Sequence, residues 1–261
     1  MKLLHTISLP GPLVTVLQPI VRKTSGGGGS IFAVECLTRG PRGTKLEDAV
    51  PLFEYVRRHR LEVEMDCACV ARSLRMAAGH APRLTINVHP ATLGGDRKFV
   101  PFLLRQAEAA HLDPRRLIVE VGEHAPAADS RAFAAALTEL RMNGIAIALD
   151  DVGHGHSNYK AILDCQPDYL KIDRYFVDGV STDEGKRAVV RSILDLAAVF
   201  GAEVVAEGVE TRADLEVLDG MGIDLFQGFL FSRPVTPLCY ASNFSSMSGS
   251  IERISGTSIS T

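Results

Sequence analysis

Side chains able to hold metals or move protons stand at the ends of short apolar runs along this sequence. Glu35 closes FAVE, Asn87 closes TIN, Glu120 closes LIVE, and Asp150 and Asp151 close IAIALDD. Lys171 and Asp173 close LKID, Glu207 closes VVAE, and Gln227 closes LFQ. A strand has to stop somewhere, and a single polar residue after an apolar run is ordinarily just solvated. Seven such ends, five of them bearing carboxylates, are another matter. Carboxylates brought together repel one another and lose solvation, so their convergence calls for cations. Oxygen donors without accompanying His or Cys suit hard ions such as Mg²⁺ or Mn²⁺ far better than zinc. A pair of such ions polarises a phosphate oxygen, acidifies a water between them and stabilises a leaving oxygen, so hydrolysis of a phosphodiester is within reach of this set.

The elements that must position these residues alternate in the sequence. From about residue 80, the runs RLTINV, LIVEV, IAIALDD, YLKID, EVVAEGV and LFQGFLF are separated by segments with apolar residues at helical spacing, among them FVPFLLRQAEAAHL, RAFAAALTELRMNG and GKRAVVRSILDLAAVFG. Such alternation signals βα units around a parallel sheet, and two of the helical segments end at Gly, as helices often do. The pattern predicts a TIM-like (β/α)8 barrel, whose strand ends converge on the rim where active sites are built. Upstream, LVTVLQPIV and SIFAVECLTRG read as two strands joined by VRKTSGGGGS, so the barrel is expected to begin with one antiparallel strand. LEDAVPLFEYVRRH and LEVEMDCACVARSLRMAAG then supply two helices. Neighbouring residues on a strand point to opposite faces, so Asp150 and Asp151 cannot both aim at the rim from regular geometry. Gly153 and Gly155 let the chain leave the strand and swing the second carboxylate back.

One domain over residues 1–240 accounts for these elements, followed by a Ser- and Gly-rich tail over 241–261 that lacks a core pattern. The length fits a single barrel, and no sensory domain is expected ahead of it. A formal net charge of -3 gives no basic footprint for a nucleic-acid polymer. No apolar run approaches membrane-spanning length, and the proline-containing N-terminus lacks the features of a signal peptide. Cys36, Cys67, Cys69, Cys165 and Cys239 have no paired CxxC spacing, so neither a disulfide framework nor a zinc site is indicated. The reducing cytoplasm is the simplest compartment.

At these residues the sequence resembles the EAL-domain phosphodiesterases, from about Gln18 to Pro234. The motifs run in family order: QPI at Gln18, ExLxR from Glu35 to Arg39, Asn87, ExxE from Glu120 to Glu123, and DDxGxGxS from Asp150 to Ser157. LKIDR from Leu170 to Arg174, AEGVET from Ala206 to Thr211 and QGFLFSRP from Gln227 to Pro234 complete the set. The resemblance implies a TIM-like barrel that cleaves one phosphodiester of cyclic di-GMP to linear pGpG with two Mg²⁺ or Mn²⁺ ions. It implies metal ligands at Glu35, Asn87, Glu120, Asp150 and Asp151, and catalytic parts for Glu207 as general base, Lys171 on the water or the phosphate charge, and Glu35. Arg39, Gln227, Gln18, Asp173 and Pro234 would meet the substrate; for Gln18 a hydrogen-bonded place in the barrel is an equal alternative, and for Asp173 a partnership with Arg174. Glu123 and Glu210 would steady loops.

The chain departs from the family in the loop DDVGHGHSNY, where Val152, His154 and His156 replace an aromatic, a threonine and another aromatic. That loop positions metals and often contributes to dimer contacts in the family, so turnover and dimer coupling are where the change would tell; a homodimer is an expectation by analogy only. Cys36, one residue past Glu35, should face away from the basin as a small apolar group. Two function classes follow: an active phosphodiesterase, or a module that binds cyclic di-GMP or a protein partner without cutting. Silent relatives typically lose metal carboxylates, and this chain has kept them.

Overall fold

The computed structural model describes residues 9–24, 28–95, 97–122, 129–153 and 158–244. In chain order the elements are β1 (Val14–Lys23), β2 (Gly29–Arg39), α1 (Ala49–His59), α2 (Glu62–Ala77), β3 (Leu84–Val88), α3 (Pro90–Gly95), α4 (Phe99–Ala109), β4 (Leu117–Gly122), α5 (Ser130–Met142) and β5 (Ala146–Val152). They continue with α6 (Asn158–Cys165), β6 (Tyr169–Ile172), α7 (Arg174–Val177), α8 (Glu184–Phe200), β7 (Glu203–Ala206), α9 (Arg212–Gly220), β8 (Leu225–Phe226) and α10 (Pro237–Phe244). The strands close into a barrel in sequence order, β1 to β8. β1 runs antiparallel to both β2 and β8, and every other neighbouring pair is parallel. The antiparallel start and the parallel remainder are as the sequence indicates. The helix α10 crosses residue 240, and residues 245–261 lie outside the described part.

Local sequence explains where the helices begin and end. The Asp129 carboxylate accepts the backbone N–H groups of Arg131 and Ala132 at the start of α5, and Asp183 accepts that of Lys186 at the start of α8. Gly201 ends α8 with a left-handed φ of 67°.

Strand alternation does the rest. Leu117, Val119 and Val121 of β4 face outward into the layer between barrel and helices, whereas Ile118 faces inward. The inward residues Ile20, Ala33, Ile118, Ala148, Val205 and Leu225 pack together as an apolar floor, with Tyr169 against them. Because side chains on a strand repeat every two residues, the residue two places nearer the open rim shares the interior face. Those residues are Gln18, Glu35, Glu120, Asp150, Lys171, Glu207 and Gln227. Asn87 joins them from β3, two residues past the buried Thr85. Each strand thus contributes one polar side chain to a layer standing directly on an apolar floor.

Candidate active site

Lys171 is the hub of that layer. Its Nζ lies 2.6 Å from Glu207 Oε1, 2.7 Å from Glu120 Oε2, 3.1 Å from Asp150 Oδ1 and 3.7 Å from Glu35 Oε2, with 2% of the side chain exposed. Burial alone would depress the lysine, but the carboxylates around it hold the ammonium well above its ordinary pKa. One cation does not satisfy four acids. Burial, reinforced by Glu35 and Asp150, pushes the Glu120 carboxyl up to about 8 against the pull of Lys171. Glu207 is likewise raised well above the usual carboxylate range by burial, and Asp150, Glu35 and Glu120 add to the rise. Glu35 goes the other way: burial would raise it, yet Lys171 and the amides of Gln227 and Asn87 hold it below its ordinary value.

Amide chemistry fixes the orientation of Glu35. Asn87 Nδ2 donates to its Oε1 at 2.8 Å and Gln227 Nε2 to its Oε2 at 2.7 Å. Gln227 Nε2 also donates to Gln18 Oε1 at 3.2 Å, and Gln18 Nε2 donates to the Ser232 carbonyl at 3.1 Å. Both ends of this chain, a carboxylate and a backbone carbonyl, can only accept, so the amides have one consistent direction. Gln18 therefore spends its amide within the protein.

The second aspartate reaches the rim by strained backbone. Asp151 has φ 59°, and the β5–β6 register slips between Leu149 and Val152. The departure from strand geometry thus begins at Asp151 itself, earlier than the glycines suggested; Gly153 follows at φ 108°, and Gly155 lies outside the described residues. Left-handed backbone at a non-glycine residue costs about 1–2 kcal/mol and persists where its surroundings hold it.

Oxygens of Asp150, Asp151 and Glu207 all lie within 4.8 Å of one another. Glu120 Oε1, Asp150 Oδ1 and Gln227 Oε1 are buried without a hydrogen-bond partner, although Asp150 Oδ1 is close to the lysine. Buried acceptors are normally paired. Orphaned oxygens in an acidic cluster without His or Cys donors fit hard divalent cations.

Neighbouring loops are locked to this layer. Val209 N–H donates to the Gln227 carbonyl at 3.0 Å, and Leu230 N–H donates to the Val209 carbonyl at 3.0 Å. At Gly228 a Cβ would run into the Val209 backbone, and at Gly208, with φ 68°, it would strike the Arg174 side chain. Arg174 in turn pairs with Glu210 at 2.9 Å across the loop that carries Glu207.

Of the other residues named from the sequence, Arg39 lines a cavity of about 560 Å³ that also takes in Glu35, Asn87, Asp150 and Asp151. Asp173 accepts the Tyr175 N–H at 2.8 Å and caps α7. Pro234 is half-buried beside Val235, which exchanges two backbone hydrogen bonds with Leu17. Cys36 is buried among the outer-layer residues, and burial pushes its thiol up. Glu123, His154 and His156 lie outside the described residues. The cavity also reveals a group that the strand-end pattern missed. Asp66 of α2 accepts the His89 N–H at 2.9 Å and the Thr92 hydroxyl at 2.5 Å, holding the turn after Asn87 in place. Burial raises the Asp66 carboxyl to about 7. An Asp far from any strand end gives no such signal in sequence.

Comparison with known proteins agrees with this fold. The probable cyclic di-GMP phosphodiesterase PdeG of Escherichia coli K12 is 32% identical over 236 residues, covering 87% of this chain and 45% of the relative. The probable cyclic di-GMP phosphodiesterase PdeA of the same organism is 30% identical over 230 residues, covering 86% of this chain and 31% of the relative. The chain therefore spans less than half the length of these curated relatives. Among solved structures, the manganese and cyclic di-GMP complex of Klebsiella pneumoniae BlrP1 at pH 9.0 superposes with a TM-score of 0.73 at 33% identity, over 88% of this chain and 58% of that one. The cyclic di-GMP complex of the PaMucR phosphodiesterase gives a TM-score of 0.75 at 28% identity, over 86% of this chain and 92% of that one. The EAL domain family matches residues 5–234, and with the barrel and its acidic layer already in place, the chain belongs to that family.

Proposed function

We propose that this chain is a metal-dependent phosphodiesterase that hydrolyses one phosphodiester of cyclic di-GMP to linear pGpG. The observation that carries the reading is the layer of polar side chains around Lys171, with more acid than one ammonium balances and with buried oxygens left unpartnered. The names of the relatives support the substrate. Glu35, Asn87, Glu120, Asp150 and Asp151 would hold two Mg²⁺ or Mn²⁺ ions, which when bound supply positive charge to the phosphate and acidity to the attacking water.

The chain's own residues do the remainder. Glu207, beside Asp150 and Asp151, takes a proton from the water that attacks phosphorus. Lys171, whose Nζ is engaged by Glu207, Glu120 and Asp150, answers the phosphate charge electrostatically as the bond from phosphorus to the 3′ oxygen breaks and that oxygen takes up a proton from solvent. Asn87 and Gln227 keep both oxygens of Glu35 aimed. Arg39, in the same cavity, offers a planar pair of donors to phosphate or to guanine acceptors. Gln18 acts through Gln227, Glu210 steadies the Glu207 loop through Arg174, and Asp173 shapes the end of β6. The five free cysteines accord with a reducing compartment, the cytoplasm, and among the described residues no helix is long and apolar enough to cross a membrane.

The test is incubation of the purified chain with cyclic di-GMP and Mg²⁺ or Mn²⁺, followed by separation of nucleotides. Accumulation of pGpG is expected, with Ca²⁺ inhibiting because it is larger and less demanding of octahedral geometry. Binding without product under either metal would replace the enzyme by a receptor.

A further inference from the structure

The cavity that holds the rim carboxylates extends past Asn87 to His89. His89 Nδ1 accepts the Ala91 N–H at 3.2 Å, which requires that nitrogen to be unprotonated. The neutral imidazole then carries its proton on Nε2, across the ring, and no described residue partners that donor. Asp66, through the His89 N–H, and Thr92, through Asp66, hold the backbone from which the ring projects.

The same cavity is lined by apolar Val50, Phe53 and Pro90 and by Glu54 and Glu62, with Arg57 among them. A flat base suits such walls. Guanine presents O6 and N7 as adjacent acceptors, whereas adenine places an amino donor at the O6 position. We infer that His89 is a specificity residue whose Nε2–H donates to the O6 and N7 edge of one guanine of the cyclic dinucleotide. The inference rests on the substrate proposed above and concerns recognition, not bond cleavage.

Calorimetric titration of the full chain with cyclic di-GMP in Ca²⁺, which is expected to hold back turnover, tests it. His89→Asn keeps an oxygen able to accept the Ala91 N–H but falls short of the cavity; His89→Ala removes both. The dissociation constant should rise roughly five-fold in both variants, the loss of one neutral hydrogen bond, with thermal stability of His89→Asn near that of the native chain. The preference for cyclic di-GMP over cyclic di-AMP should narrow in step. Unchanged affinity in both variants, or weakening in His89→Ala alone, would confine His89 to shaping its turn and overturn the contact. Failure of the native chain to bind at all would instead remove the proposed substrate, and this inference with it.

Discussion

The two ends of the barrel are built on opposite principles. At the closed end, Phe32 lies between the guanidinium groups of Arg22 and Arg83, at 4.6 Å and 4.7 Å from its centroid, with Tyr169 edge-on at 5.6 Å. Arg22 is itself paired with Glu203 at 2.7 Å. Both guanidinium groups there have the ring as a partner. At the rim, one lysine faces four carboxylates and buried oxygens go unpartnered. Local consistency is the rule in folded chains, and its breach marks where stability has been given up for chemistry. The closed end supplies the stability on which the rim can be frustrated.

Substitutions at the two ends should therefore separate activity from stability. The largest effect is expected from Glu35→Ala or Asp150→Ala, each abolishing pGpG formation with circular dichroism close to native; Asp150→Ala should also melt near native because losing one acid from the cluster relieves repulsion, whereas Glu35→Ala orphans the Asn87 and Gln227 amides and should melt lower. Near-native turnover in either variant would break the division of labour. Next comes Phe32→Ala at the closed end, which should cost about 3 kcal/mol in denaturant unfolding, with hydrolysis per folded molecule unchanged. A comparable fall in turnover would mean that the floor tunes the site directly. The smallest effect, read per pH unit, is at Asp66, which lines the rim cavity. Its carboxyl is raised to about 7 in the fold, so the folded chain binds that proton more tightly than the unfolded one. Stability should accordingly decline as pH rises from about 4 to about 7, by at most ~1.4 kcal/mol per pH unit, and level off above. Asp66→Asn should flatten that slope in melts at pH 5 and 6; an unaltered slope would place the titration elsewhere.

Much of the rim was legible because a polar residue after an apolar run reveals both a strand end and a direction. The alternation that places Ile118 in the floor puts Glu120 in the layer above, and the same two-residue step sets Lys171 above Tyr169 and Gln227 above Leu225. The outer helices were legible for a similar reason, since α8 runs from its Asp183 cap to Gly201. What escaped was tertiary. The partnership of Gln18 with Gln227 joins the first strand to the last, and no local pattern announces it. Asp66 and His89 meet across 23 positions of sequence. The left-handed backbone at Asp151 contradicts the preference of an aspartate on a strand and is imposed by the slipped register beside β6.

The contact between Gly228 and the Val209 backbone carries a lesson for redesign. The segments following the seventh and eighth staves behave as a single joint, so grafting a foreign loop at one of them obliges the engineer to transplant its companion. Recombination libraries that cut between these staves should be poor in working progeny, whereas a cut further upstream would let the pair travel together.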